Sequence, residues 1–292
     1  MSPASDVTAA AAIRHHYDVG NEFFALWLDP SLSYSCALRG AGDDDLATAQ
    51  ERKLAHHLDA VRAAEADRVL DVGCGWGAVL ARRAQVHPAG RGVGLTLSAE
   101  QARYVEARAG ASTEVRLESW TEHEPTGRYD GIVSIGAFEH FARPEDGPAE
   151  KLGRYRDFFT RCRSWLHDGG ALSLQTIAYG NMTPGQASGF FQQEVFPAAE
   201  LPTPAEIAAA VEGLFEITSV ANGRLDYAWT CEQWARRLRA RRAEAVELVG
   251  PETVRRYERY LRQASLGFRM GKLVLLRLVL RPWPAGYFGP RR

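Results

Sequence analysis

The stretch that most limits what this chain can fold into is Arg68-Val69-Leu70-Asp71-Val72-Gly73-Cys74-Gly75-Trp76-Gly77-Ala78, an apolar run ending in an acid and three alternating glycines. A strand that turns sharply into a helix needs residues tolerant of positive φ, and a bare backbone lets a ligand approach closely, so Gly73, Gly75 and Gly77 belong at one strand-to-helix corner. The run is D-x-G-x-G-x-G, whereas nicotinamide and flavin sites space their glycines G-x-G-x-x-G. This spacing favours the methionine moiety of S-adenosylmethionine over a pyrophosphate. A ligand-free glycine turn is the plain alternative, but Asp71 and three glycines together answer no packing need.

The same corner recurs as a rhythm. Short apolar runs at 68–72, 90–95, 129–135 and 171–177 read as buried strands, and helix-like stretches at 79–85, 99–109 and 155–165 alternate with them. That alternation is the βαβ signature of a parallel sheet with right-handed crossovers. The expected fold is therefore α/β, with a doubly wound, mostly parallel sheet. Before it, residues 1 to about 60 read as helical, with Leu46, Leu54, Leu58 and Val61 at helical spacing. After it come a helix near 206–212, a strand at 215–220, Arg-rich helices at 233–249 and 252–263, and a last strand at 273–280. One domain accommodates all of this: an N-terminal helical cap (1–62), a core (63–225), and C-terminal helices with the last strand (226–292).

Composition narrows the partners. With 35 Lys+Arg against 36 Asp+Glu, the formal net charge of -1 offers no global attraction to nucleic acid, and at most transient contact with a membrane. Cys36, Cys74, Cys162 and Cys231 lie far apart with no metal-ligand rhythm, which suits reduced thiols, a cytoplasmic setting and no structural metal. The Ala9–Ala12 run is too short for a signal peptide or a span. The arginines 236, 237, 239, 241 and 242 read as solvated helix surface, with docking of an acidic carrier protein as the alternative.

The strand after the glycine turn ends Gly94-Leu95-Thr96-Leu97, where a dinucleotide enzyme carries an acid for the ribose hydroxyls. Thr96 and Gln101 can supply neutral hydrogen bonds there instead. Gln101 has a second reading, because Ser98-Ala99-Glu100-Gln101 also matches a capping box. Trp120, placed where the third strand should end, either covers an adenine face or packs in the core.

With these positions set, the flanking motifs can be compared as a group. They are 15–24 (His-His-Tyr-Asp-Val-Gly-Asn-Glu-Phe-Phe), 28–36 (Leu-Asp-Pro-Ser-Leu-Ser-Tyr-Ser-Cys), Ile135-Gly136-Ala137-Phe138-Glu139-His140-Phe141, Val195-Phe196-Pro197, Asp226-Tyr227-Ala228-Trp229-Thr230 and Phe268-Arg269-Met270-Gly271. Together they resemble the cyclopropane-fatty-acid and mycolic-acid synthase family, in the same order and over nearly the whole chain. The resemblance implies a Rossmann-like class I methyltransferase fold with S-adenosyl-L-methionine as cofactor. It implies that Tyr34 and Ser35 touch the cofactor, beside Asp71, Gly73, Gly75, Thr96, Leu97, Gln101, Trp120 and Ile135. It places Cys36, Glu139, Tyr227, residue 175 and His16 at the reaction centre, where an alkene attacks the sulfonium methyl and a bound bicarbonate takes a proton. His16 and His140 each have packing as an equal reading, and Cys36 need not act as a nucleophile.

One departure bears on the chemistry. Gln175-Thr176-Ile177 stands where the family has H-T-I, and an amide can donate and accept hydrogen bonds but carries neither a proton nor a charge. Support for bicarbonate is correspondingly weaker, and methyl transfer is the safer expectation than ring closure. The segment 143–154 also reads as an insertion, 180–190 as short, and no extra apolar helices supply a long acyl channel. The expectation is methyl transfer to an electron-rich carbon, or to N or O, of a small or carrier-bound specialised metabolite. The alternatives are a cyclopropane synthase acting on unsaturated acyl chains and a non-methylating cyclase or binding protein.

Overall fold

A computed structural model describes residues 19–42, 45–183 and 200–284. Among the described residues two helices precede the sheet: α1 (Asn21–Trp27) and α2 (Leu46–Ala60), the latter N-capped by Asp45, whose Oδ1 accepts from Thr48 N. Between them residues 28–42 run without regular structure. The sheet then builds through β1 (Arg68–Val72), α3 (Ala78–Val86), β2 (Arg91–Thr96), α4 (Ala99–Glu106), β3 (Thr113–Leu117) and β4 (Tyr129–Ile135). A 3-10 turn (Phe138–His140) leads to α5 (Pro148–Trp165) and β5 (Leu166–Tyr179). The last described elements are α6 (Pro204–Val211), β6 (Phe215–Asn222), α7 (Arg224–Ala240), α8 (Arg242–Arg269) and β7 (Leu273–Pro282).

The seven strands order as β3-β2-β1-β4-β5-β7-β6. The first five are parallel, while β7 runs antiparallel to both β5 and β6. The order reverses at β1 and β4, so the crevice beyond their carboxyl ends is where a doubly wound sheet binds its ligand. The continuous apolar character of β1, β4 and β5 follows from helices covering both faces.

Most boundaries read from periodicity stand within two residues. The C-terminal helices do not. The stretch expected as one helix at 233–249 belongs to two, because α7 starts at Arg224 and stops at Ala240, where Arg241 leaves helical dihedrals at φ -112°, ψ 26°. No glycine or proline marks that break; burying Tyr227, Ala228, Cys231, Trp234 and Leu238 against the N-terminal elements sets it. The signalled break, Gly250-Pro251, is a kink inside α8, with Gly250 at φ 80°. Similarly, α5 begins at Pro148 and not at 155, with Pro in the first turn, where its missing N–H costs nothing.

Aromatic rings hold the cap. Phe24 packs against Trp76 (5.1 Å between centroids), Tyr34 and Trp27, and Trp27 in turn meets Trp234 at 5.8 Å. This seats α1 and the 28–42 segment on the glycine turn and α7 together. Such rings bury much apolar area each and dominate the packing where they meet.

Candidate active site

The glycine corner has the shape its spacing demands. Gly73, Gly75 and Gly77 all have positive φ (83°, 53° and 81°). A side chain at Gly73 would meet the Ala137 Cβ at 2.5 Å, whereas one at Gly75 would project into open space, the direction from which a ligand approaches. That space is a cavity of about 480 Å³, within the range of small-molecule sites.

The ten residues expected at the cofactor all line this one cavity. Asp71, Gly73 and Gly75 come from the end of β1, Thr96 and Leu97 from the end of β2, Gln101 from α4, and Ile135 from the end of β4. Tyr34 and Ser35 come down from the 28–42 strap. Asp71 is buried, its Oδ2 has no hydrogen-bond partner among the described residues, and burial pushes its pKa to about 7. A buried carboxylate oxygen left open toward a cavity asks for a donor such as an ammonium group.

Gln101 and Trp120 each carried two readings. Ser98 does cap α4, accepting from Gln101 N at 3.3 Å, but the box is not closed: Ser98 N donates to Thr96 Oγ1, and the Gln101 amide oxygen accepts from the Thr96 hydroxyl at 2.8 Å. The Gln101 side chain therefore faces the strand end and the cavity. Trp120 lies three residues past the end of β3, not at it; it lines the cavity and also packs on Phe141 (5.0 Å) and Phe158 (5.4 Å).

Of the residues expected at the reaction centre, Cys36, Glu139, Gln175 and Tyr227 are described, and none of the four lines the cavity. Glu139 is buried on the 3-10 turn. Its Oε1 accepts from Ile177 N at 2.6 Å, and its Oε2 has no partner among the described residues. Burial raises its pKa to about 7, against the Ile177 N–H, which lowers it. His140 beside it lines the cavity and is held neutral, since burial lowers its pKa to about 4. Burial also pushes the Cys36 thiol to about 12 despite Arg277, so Cys36 is a neutral thiol, donating to Ala37 O at 3.1 Å. Tyr227 stacks on Phe268 at 4.5 Å, and burial keeps its phenol protonated. His16 and Val195-Phe196-Pro197 lie outside the described residues.

Gln175 sits in a buried network. Its Oε1 accepts from Arg277 Nε at 2.8 Å and faces His57 Nε2 at 3.4 Å, while its Nε2 donates to Cys36 O at 3.4 Å. A guanidinium can only donate, so it fixes the amide with the NH2 group toward the Cys36 loop. Arg277, 3% exposed, also donates to Ala37 O at 2.8 Å and lies 3.4 Å from Asp226.

Sequence reading passed over Lys53, His57 and Arg277. A lone arginine interrupting the apolar strand Leu273-Val274-Leu275-Leu276-Arg277-Leu278 was a usable signal, because a buried charge needs a partner. Lys53 and His57 gave none, since charged residues on a helix are ordinarily solvated. Of the C-terminal arginines, 236, 239, 241 and 242 are exposed, and Arg237 donates to Leu28 O at 2.9 Å.

The family model described as Mycolic acid cyclopropane synthetase matches residues 4–278. The chain belongs to this family. "Cyclopropane mycolic acid synthase 2" of Mycobacterium bovis is 36% identical over 278 residues, covering 88% of this chain and 90% of that protein. A "Probable fatty acid methyltransferase" of Pseudomonas putida is 33% identical over 291 residues, covering 96% and 71%. Among solved structures, mycolic acid cyclopropane synthase CmaA1 complexed with SAH and CTAB superposes with a TM-score of 0.83 at 31% identity, covering 93% of this chain and 98% of that one. Membership of the synthetase family makes this chain an S-adenosylmethionine-dependent methyltransferase with a class I, Rossmann-like fold. No helix among the described residues is long and apolar enough to cross a membrane.

Proposed function

We propose that this chain transfers the methyl group of S-adenosylmethionine to an electron-rich, alkene-like carbon of a compact acceptor, small or carrier-bound, with Glu139 heading the route by which the proton leaves. The observation that carries the reading is the Glu139 carboxyl: buried, with one oxygen unbonded among the described residues and a pKa of about 7, it is divided between its acid and base forms near neutrality. The sulfonium supplies the activated methyl, so the protein has to position the acceptor, exclude water and remove one proton. Tyr34 and Ser35 hold the strap over the donor, Tyr227 and His140 bound the acceptor's place as neutral groups, and Cys36 contributes its backbone and small size in place of thiolate chemistry.

Gln175 in place of the H-T-I imidazole weakens support for a bicarbonate at this centre; were one held here, its hydroxyl would donate to Glu139 Oε2, which has no partner among the described residues, and Gln175 Nε2, which also donates to Cys36 O, would be its amide donor. When bound it supplies a base for the proton released after methyl transfer.

The compact acceptor is supported by the size of the cavity, about 480 Å³. A second reading, ring closure on unsaturated acyl chains of lipid or carrier protein, is favoured by relatives bearing the name cyclopropane mycolic acid synthase. The four described cysteines, all free and buried, support a reducing, cytoplasmic setting. Product mass and proton NMR after incubation with unsaturated acceptors separate the readings: a gain of CH2 with the alkene retained is methylation, and the same gain with the alkene lost is ring closure. No methyl gain with alkene, amine or hydroxyl acceptors overturns both.

A further inference from the structure

The donor cavity contains a charged residue that neither the glycine turn nor the strap motif announces. Lys53 lines the cavity while only 2% exposed, and projects from α2 on the face that also carries Gln50 and His57. Its Nζ donates to Ser35 Oγ at 3.0 Å, its one hydrogen-bond partner among the described residues, and no carboxylate there lies within ion-pair distance. The other cations on the cavity wall are already engaged: Arg154 pairs with Asp146 at 2.6 Å and Glu150 at 3.2 Å, and Arg143 lies 4.0 Å from Glu145. A buried ammonium with a single hydroxyl partner is under-compensated. Burial accordingly pulls its pKa down to about 8; Asp29, Cys36 and Asp71 raise it and Arg277 lowers it further.

The topology decides which end of the donor meets this charge. Thr96 and Gln101 stand at the end of β2, and Ser119 and Trp120 follow β3, so the adenosine belongs over those two strands. The amino-acid tail then lies over β1 and β4, beside Asp71 and Gly73 and under Ser35, where Lys53 Nζ points. That tail is a zwitterion, and the site holds one unsatisfied group of each sign: Asp71 Oδ2 for its ammonium and Lys53 for its carboxylate.

We infer that Lys53 is a cofactor-binding residue, its ammonium pairing with the α-carboxylate of the methyl donor across the Ser35 strap. The inference rests on the cavity being the S-adenosylmethionine site. It is tested by titration calorimetry of the full chain with S-adenosylhomocysteine and with its decarboxylated analogue, which differ only in the carboxylate. The wild-type chain should bind S-adenosylhomocysteine tighter by roughly tenfold to hundredfold. Lys53→Met should abolish that preference while binding the decarboxylated analogue as the wild type does, and Lys53→Arg should keep part of it. Lys53→Gln, which retains a donor for Ser35 but no charge, should behave like Lys53→Met. Equal weakening of both ligands in Lys53→Met, or a preference surviving in Lys53→Gln, overturns the inference and leaves Lys53 as a support for the strap. A wild-type chain that binds neither ligand overturns the donor-site reading itself.

Discussion

Burial raises both the Glu139 carboxyl and the Cys36 thiol, and the two consequences differ. A carboxyl at about 7 exchanges its proton near neutrality, whereas a thiol at about 12 stays protonated throughout. Glu139→Gln should therefore lower turnover by roughly 10²–10⁴-fold. Calorimetric affinity for S-adenosylhomocysteine should stay as in the wild type. The wild-type kcat/KM should climb as pH rises through about 7, and the residual rate of the variant should not. The same group acts on stability with the opposite sign. Its folded pKa exceeds its ordinary 4.5, so its stabilisation is complete below 4.5 and lost as pH rises through about 7. Thermal melts of the ligand-free chain should fall across that window more in the wild type than in Glu139→Gln. Cys36→Ala should keep turnover within an order of magnitude, since neither the geometry nor the protonation state asks the thiol to react.

At the scale of elements, the strand-to-helix corner is the least forgiving. Gly73→Ala combines φ 83° with a clash against Ala137, so strain of about 1–3 kcal/mol falls on the turn that carries the cofactor. Its expected result is a loss of S-adenosylhomocysteine affinity of roughly tenfold, with far-UV circular dichroism unchanged. A second element acts at a distance. Thr203 and Glu206 form a closed capping box on α6, and the segment just before it places Glu200 N on Glu139 O and Pro202 O on Tyr179 N. Thr203→Ala should cost about 1 kcal/mol in urea unfolding. The helix α2 shows what periodicity misses. Leu46, Leu54 and Leu58 announced its apolar face, but Gln50, Lys53 and His57 are buried as well, each on a polar partner from the strap or β5.

For the molecule as a whole, the decisive element is the last one. Paired from Leu172↔Leu280 to Tyr179↔Leu273 on one side and with β6 on the other, β7 joins the edge strand β6 to the five parallel strands. A chain ending at Met270 should lack a cooperative unfolding transition, because β5 loses one of its two neighbours and β6 its only partner among the described strands. A cooperative melt from that truncation would show that α7 and α8 hold the sheet without it.

Local rules decided what was legible in the sequence by itself. The glycine corner, the four apolar strands and the cap at Ser98 depend on neighbours in the chain, where backbone sterics and period act, and they could be read residue by residue, whereas Glu139 was reached through the motif resemblance. The break at Arg241, the antiparallel insertion of β7, and the conversion of Lys53, His57 and Arg277 from ordinary surface types into buried groups around Ser35 and Gln175 were decided only by the tertiary structure. Burial and pairing are made by segments more than a hundred residues apart, as where Arg277 meets Gln175 and His57 meets Ser173. A charge becomes informative only when desolvation makes its partner obligatory, and the sequence does not state which charges the fold will remove from water.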